Sequence, residues 1–137
     1  MPIPVSFTDK QLLQGTIVEP AWYTCMIENI GEKPTVTPKG PSTNYPMELI
    51  IIRNGDNGDL KFKDVPVTAN FNSGAMGFTI GLFKALGVDE VKANERYDLK
   101  SCEGKMVDVY IENGLYNGRT TNRIEHKYRP VKNADGL

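Results

Sequence analysis

A chain of 137 residues with 39% hydrophobic and 24% charged side chains has the size and balance of one ordinary folded domain. It has no apolar run of the roughly eighteen residues that a membrane span needs, and Met1-Pro2-Ile3-Pro4-Val5 lacks the basic-then-apolar order of a secretion signal. A net charge of −1 and a pI of about 5.8 argue against an indiscriminately basic nucleic-acid binder.

In chain order, residues 1–14 read as an N-terminal arm and 15–131 as the folded domain, leaving 132–137 as a short tail. The first strand is Trp22–Ile30, where Tyr23, Cys25 and Ile27 alternate with Trp22, Thr24, Met26 and Glu28. Glu32–Pro46 holds Pro34, Pro38, Gly40, Pro41 and Pro46 and predicts a long irregular loop. Met47–Arg53, with its apolar run Leu49 to Ile52, predicts a buried second strand. Asn54-Gly55 and Asn57-Gly58 supply turn residues, and Asp56-Asn57-Gly58-Asp59 lacks the spacing and closing glutamate of a calcium loop. Leu60–Phe71 predicts a third strand, with Pro66 marking an edge or bulge.

Ser73 is a candidate N-cap for a helix whose Met76, Ile80 and Phe83 recur at helical spacing and whose stop is Gly87. Gly77 and Gly81, one turn apart, would let that helix approach a sheet closely. After a polar connection, Lys105–Glu112 alternates with Val107, Val109 and Ile111 on one face and Asp108 and Tyr110 on the other. The last strand begins near Arg119, and either Asn113-Gly114 or Asn117-Gly118 could turn the final hairpin. Three strands, a helix and two more strands match the OB-fold, a mainly β, five-stranded barrel with one helix between strands three and four.

The last strand is the most telling segment. Arg119, Arg123, Lys127 and Arg129 share one face with Thr121 and Glu125, while Asn122, Ile124, His126 and Tyr128 take the other. From Arg119 to Lys132 there are five Lys/Arg against one acid, whereas the rest of the chain carries eleven basic and sixteen acidic residues. Such a strip beside a loop tyrosine suits single-stranded nucleic acid, which needs cations for phosphates and flat rings for unpaired bases. A solvated strand face presents a similar charge run.

Ala21-Trp22-Tyr23, Glu32-Lys33, Leu82-Phe83-Lys84-Ala85-Leu86-Gly87, Gly104-Lys105 and Tyr116-Asn117-Gly118-Arg119 follow one another in order. Asn122-Arg123 and Tyr128-Arg129-Pro130 complete the series. From about Gln14 to Val131 the chain resembles a family of small bacteriophage proteins that includes OB-fold single-stranded-DNA-binding proteins. The resemblance implies a replication or recombination accessory that coats exposed strands in the cytoplasm of the infected bacterium. Lys132–Leu137 carries a single acid, so recruitment of partner proteins through an acidic tail is not implied.

OB-folds bind along strands two and three, flanked by the loops joining strands one to two and four to five. On this chain those places hold Lys33, Lys39 and Tyr45, then Arg53, Lys61 and Lys63, and finally Tyr116, with Arg119, Arg123 and Lys127 on the last strand. Phe62 and Trp22 are read as packing residues. The expected partner is single-stranded DNA, with nothing in the residues to discriminate against RNA. A free strand edge leaves room for a homodimer, and no membrane partner is expected.

No nucleophile elbow or P-loop is present, since Gly74-Ala75-Met76-Gly77 is not followed by Gly-Lys-Ser/Thr. The lone His126 has no partners at metal spacing, and Cys25 and Cys102 read as free thiols. Neither an enzyme nor a cofactor is expected. The competing expectation is a protein-interaction or inhibitory module on the same barrel, acting on a replication protein.

Overall fold

A computed structural model describes residues 2–133; the rest of the expected tail, 134–137, lies outside the described residues. The protein is mainly β, with one antiparallel six-stranded sheet and few helices. Strand β1 (Ala21–Ile30) lies at its centre, burying Tyr23, Cys25 and Ile27 while Glu28 is exposed, as its alternation predicts. Strand β3 (Gly40–Asn54) pairs with β1 through Met47–Asn54 and with β4 (Pro66–Asn72) through Asn44–Ile50. On the other side of β1, strand β5 (Met106–Tyr116) leads into β6 (Arg119–Arg129) by a hairpin. The core is built from Ile27, Met47, Leu49, Ile51, Phe71, Val107, Val109 and Ile111, closed by Leu82 of helix α2.

The proline-rich stretch 32–46 is not an irregular loop. Strand β2 (Lys33–Thr37) forms a hairpin with the first part of β3 and continues the line of β1. Ile30 faces Met47 and Lys33 faces Asn44 in one unbroken register, with the Gly31 amide donating to the Pro46 carbonyl at 2.8 Å between them. Pro34 lies on the edge strand β2 and Pro41 on the part of β3 that pairs with β2 alone, so in each a missing donor costs little.

The third expected strand is shortened. Leu60–Asp64 forms turns, and Pro66 opens β4 instead of interrupting it. Lys61 and Lys63 are therefore exposed on a turn, not on a strand, while Phe62 packs edge-on against Tyr23.

Helix α2 (Gly77–Ala85) starts later than expected. Ser73 does not cap it; its hydroxyl accepts from the Thr43 amide at 2.8 Å and ties the β3–β4 end together. The buried face is Thr79, Leu82 and Ala85, while Met76 and Ile80 are exposed. A Cβ on Gly81 would sit 4.0 Å from the Tyr128 ring, so this glycine does bring the helix close to the sheet. In the arm, a short helix α1 (Asp9–Leu13) is capped reciprocally by Thr8 and Gln11, and none of its residues is buried. Asn122 of β6 then holds the chain, accepting from the Val18 amide at 2.9 Å and donating to the Thr16 carbonyl at 2.7 Å.

The sheet is not closed into a barrel: β4 and β6 approach each other without forming a ladder. Opposite Val109–Ile111, β6 carries two extra residues between Ile124 and Tyr128, and His126 there adopts φ +58°. That bulge interrupts the regular strand beside β4, and side chains fill the seam instead. The His126 ring stacks on Phe78 of α2 at 4.8 Å and meets Phe71 of β4 at 4.9 Å. Its Nδ1 lies 2.9 Å from the Tyr128 hydroxyl, and a ring N–H donates to the backbone carbonyl of Asn70.

Burial lowers the His126 pKa, partly offset by that Asn70 contact. An imidazole pKa lower when folded means the unfolded chain takes up the proton first as pH falls. Stability should therefore be full above about pH 6.5, decline as pH drops below it, and level off once the folded imidazole is also charged. Urea denaturation at pH 7.5 and 5.5 would check this, with the dependence flattened in His126→Gln. Among the described residues no helix is long and apolar enough to cross a membrane.

Candidate nucleic-acid interface

The β5–β6 hairpin turns at Asn117-Gly118, which adopt φ +50° and +77°, so Asn113-Gly114 stays inside β5. Positive φ at both central residues matches the right-handed twist of the flanking strands. With this register Tyr116 faces Arg119, Gly114 faces Thr121 and Glu112 faces Arg123. Tyr110 and Asp108 continue the same face of β5, away from buried Val107, Val109 and Ile111. On β1, Trp22 pairs with Tyr110 and Thr24 with Asp108. The sheet's outer face thus carries three rings, Tyr116, Tyr110 and Trp22, bordered by the cations of β6. At the usual strand rise the two tyrosines lie about 20 Å apart.

Contacts along this strip set its geometry. A Cβ on Gly114 would come within 2.9 Å of the Arg123 Cδ, so the absence of a side chain there lets Arg123 lie across β5. Glu125 sits between two cations, 3.5 Å from Arg123 Nε and 4.0 Å from Lys127 Nζ. Lys127 Nζ is also 5.3 Å from the Tyr110 ring centre. Trp22 meets Tyr110 edge-to-face at 5.5 Å, and the Arg129 guanidinium lies over the indole at 4.4 Å. Tyr116 is 71% exposed, so its ring faces are open to a stacking partner. Exposed pairs such as Glu125–Arg123 are worth about 0–1 kcal/mol, little enough for a phosphate to replace the carboxylate.

A buried carboxylate supports the strip. Asp108 is fully buried and accepts from the Thr24 hydroxyl at 2.6 Å, Arg129 Nε at 2.9 Å and the Lys132 amide at 3.2 Å. Gly55 makes room for it, since a Cβ there would sit 2.9 Å from Oδ2. Arg129 Nη2 and Lys132 Nζ both reach Asp56 Oδ1, at 2.8 and 3.3 Å. The hydrogen bond from Arg129 leads the causes that lower the Asp56 pKa. Asn133 completes the clasp by donating to the Gly55 and Asp56 carbonyls at 2.8 and 2.9 Å.

Of the residues singled out from sequence, Tyr116, Arg119, Arg123 and Lys127 come together on this face. Of the others, Arg53 lies on the outer face but beneath the C-terminal segment, and the rest lie elsewhere. Lys33 and Lys39 lie on the β2–β3 hairpin, which projects past the opposite end of β1. Tyr45 packs toward the core beside Phe71 and lines a separate cleft of about 470 Å³ with Met76, Tyr97 and Leu99. Arg53 donates to the Asn133 carbonyl beneath the C-terminal segment. Lys61 pairs with Glu19 at 3.2 Å, and Lys63 is exposed on its turn.

Trp22 and Tyr110 were not among the expected contact residues, and Arg129 was placed on the cation face of the last strand without being named as a contact. Trp22 was read as packing and does pack on Tyr110, but on the outer face. The available signal was parity: Trp22 alternates with Tyr23, and Tyr110 with Val109. Among the described residues, no three His, Cys, Asp or Glu side chains are placed to hold a metal ion. Neither protein-family models nor curated protein sequences give a match to the chain.

Proposed function

We propose that this protein binds single-stranded DNA, largely independently of sequence, along the outer face of β5, β6 and β1. The observation that carries this reading is the placement of Tyr116, Tyr110 and Trp22 on one face with Arg119, Arg123 and Lys127. Each base stacked on such a ring contributes about 1–3 kcal/mol, and every base has a face to stack. Each phosphate neutralised contributes about 0.7 to the slope of log affinity against log salt. The strip concentrates five Lys/Arg against one acid between Arg119 and Lys132, which reconciles binding with a net charge of −1.

The strand order β4-β3-β1-β5-β6, with the helix between β4 and β5, supports an OB-type Greek key whose β4–β6 seam is open. Together with the resemblance to phage single-strand-binding proteins, it suggests coating of exposed strands during phage replication or recombination in the host cytoplasm. The competing interaction-module reading draws on the arm, where Ile3, Val5 and Phe7 are 86, 72 and 66% exposed.

Fluorescence anisotropy of labelled oligo-dT at low and moderate salt, with unlabelled duplex and RNA as competitors, separates the two. Salt-sensitive binding that duplex fails to displace is expected. No binding even at low salt would leave the interaction module as the reading to pursue.

A further inference from the structure

We propose that Arg129 and Lys132 form a phosphate subsite occupied in the free protein by Asp56, whose carboxylate is displaced by a backbone phosphate when nucleic acid binds. The inference extends the single-strand reading and rests on it for the identity of the ligand. Two cations from the end of β6 and the segment beyond it converge on one oxygen of a loop carboxylate, at 2.8 and 3.3 Å. A phosphate oxygen offers the same charge and acceptor geometry. The occupant is accessible: the Asp56 side chain is 49% exposed, and that of Lys132 is 59% exposed.

The frame around this oxygen persists without the Asp56 carboxylate. Arg129 keeps its 2.9 Å bond to buried Asp108, and Asn133 holds the loop through the backbone carbonyls of Gly55 and Asp56. Arg129 also lies against Trp22, so a phosphate here would continue the ring-and-cation strip at its β1 end. Asp56 therefore acts as a built-in competitor for one phosphate contact. Its half-exposed carboxylate can turn to solvent and yield to a ligand that offers several contacts at once.

Asp56→Asn tests this, with Asp59→Asn as a control that removes a neighbouring charge touching neither cation. Oligo-dT should bind Asp56→Asn about 2- to 5-fold more tightly, comparable to removing one exposed competing ion pair. Asp59→Asn should leave affinity unchanged. Lys132→Ala in the Asp56→Asn background should flatten the salt slope by about 0.7. A second probe makes the result independent of nucleic acid: inorganic phosphate should shift the Arg129 Nε–H NMR signal in Asp56→Asn and shift it less in the wild type.

Equal tightening by both single variants would reduce the effect to general charge and overturn the subsite. Oligo-dT binding that neither Asp56→Asn nor Lys132→Ala alters, with no phosphate response at Arg129, would overturn the subsite and leave the single-strand reading standing. A phosphate response without oligo-dT binding would support the anion subsite and overturn that reading. Loss of the Arg129 signal dispersion in Asp56→Asn would show that the carboxylate is structural, which also overturns the proposal.

Discussion

Asp108→Ala is expected to destabilise the protein by about 3 kcal/mol, because it removes one member of a buried ion pair and leaves its partners behind. Asp108 is fully buried and holds three donors: the Thr24 hydroxyl, Arg129 Nε and the Lys132 amide. Thr24 is itself fully buried, so its hydroxyl would lose its acceptor, and leaving a buried donor unpaired is costly. Among the described carboxylates, Arg129 would keep Asp56 as its ion-pair partner, with the Trp22 ring beneath it. Asp108→Asn retains the shape but presents an NH₂ toward one of these donors, so it should fall between the wild type and the alanine variant.

Asp108→Leu combined with Arg129→Met should cost less than Asp108→Ala alone, since replacing both charges leaves neither of them uncompensated. Urea denaturation of the three variants would check the order. Equal costs for the alanine and double variants would mean that shape, and not charge, makes Asp108 necessary. A larger cost in the double variant would show that Arg129 stabilises the fold by itself, through Trp22 and Asp56. The consequence for binding is indirect: Asp108 fixes Arg129 over Trp22, so losing it loosens the β1 end of the strip.

Much of the fold was legible where a single period governs the chain. On β1 and β5 the alternation placed Tyr23, Cys25, Ile27, Val107, Val109 and Ile111 in the core, but it did not announce that Thr24 and Asp108 on the other face are also buried. On β6 two extra residues are inserted, an even number, so the cation face predicted by parity survives the bulge. Arg53 shows the opposite case. A one-residue register shift beside Ile52 places it opposite Thr24, on the outer face under the C-terminal segment, and no pattern within β3 announces the shift.

The other departures come from tertiary context. Prolines disguised β2, because an edge strand needs fewer donors than a central one. Helix α2 buries Thr79, Leu82 and Ala85 while Phe78 and Ile80 stay exposed, and Gly81 brings its backbone close to the Tyr128 ring. At the open seam His126 adopts a positive φ within the bulge, beside Phe71 and Phe78, and nothing in the alternation of β6 marks that position. In the interface, charge and parity found the cations of β6. They placed Trp22 in the packing set because a lone tryptophan is more often covered, and here it is covered by Arg129 instead of by the core.

Tyr116→Ala should weaken oligo-dT binding by about 1–3 kcal/mol, roughly 5- to 150-fold, without altering stability or salt slope. The ring is 71% exposed and contributes nothing to the core, so its loss removes a stacking surface and leaves the fold intact. Arg123→Ala should act on the other half of the interaction. Its guanidinium lies across Gly114 on the same face, and removing it should flatten the salt slope by about 0.7 with a smaller loss of affinity. Trp22→Ala cannot make this separation, because Arg129 and Tyr110 both rest on the indole and stability would change with binding.

The pair of variants thus resolves stacking from charge neutralisation on one surface. A lower affinity with unchanged slope in Tyr116→Ala, beside a flatter slope in Arg123→Ala, assigns bases to the hairpin ring and phosphates to β6. If Tyr116→Ala flattened the slope as well, the hairpin tip would be positioning Arg119, its cross-strand neighbour, more than stacking a base. Unchanged affinity in both variants would remove this face as the binding surface, and the search would move to Lys33 and Lys39 at the far end of the sheet.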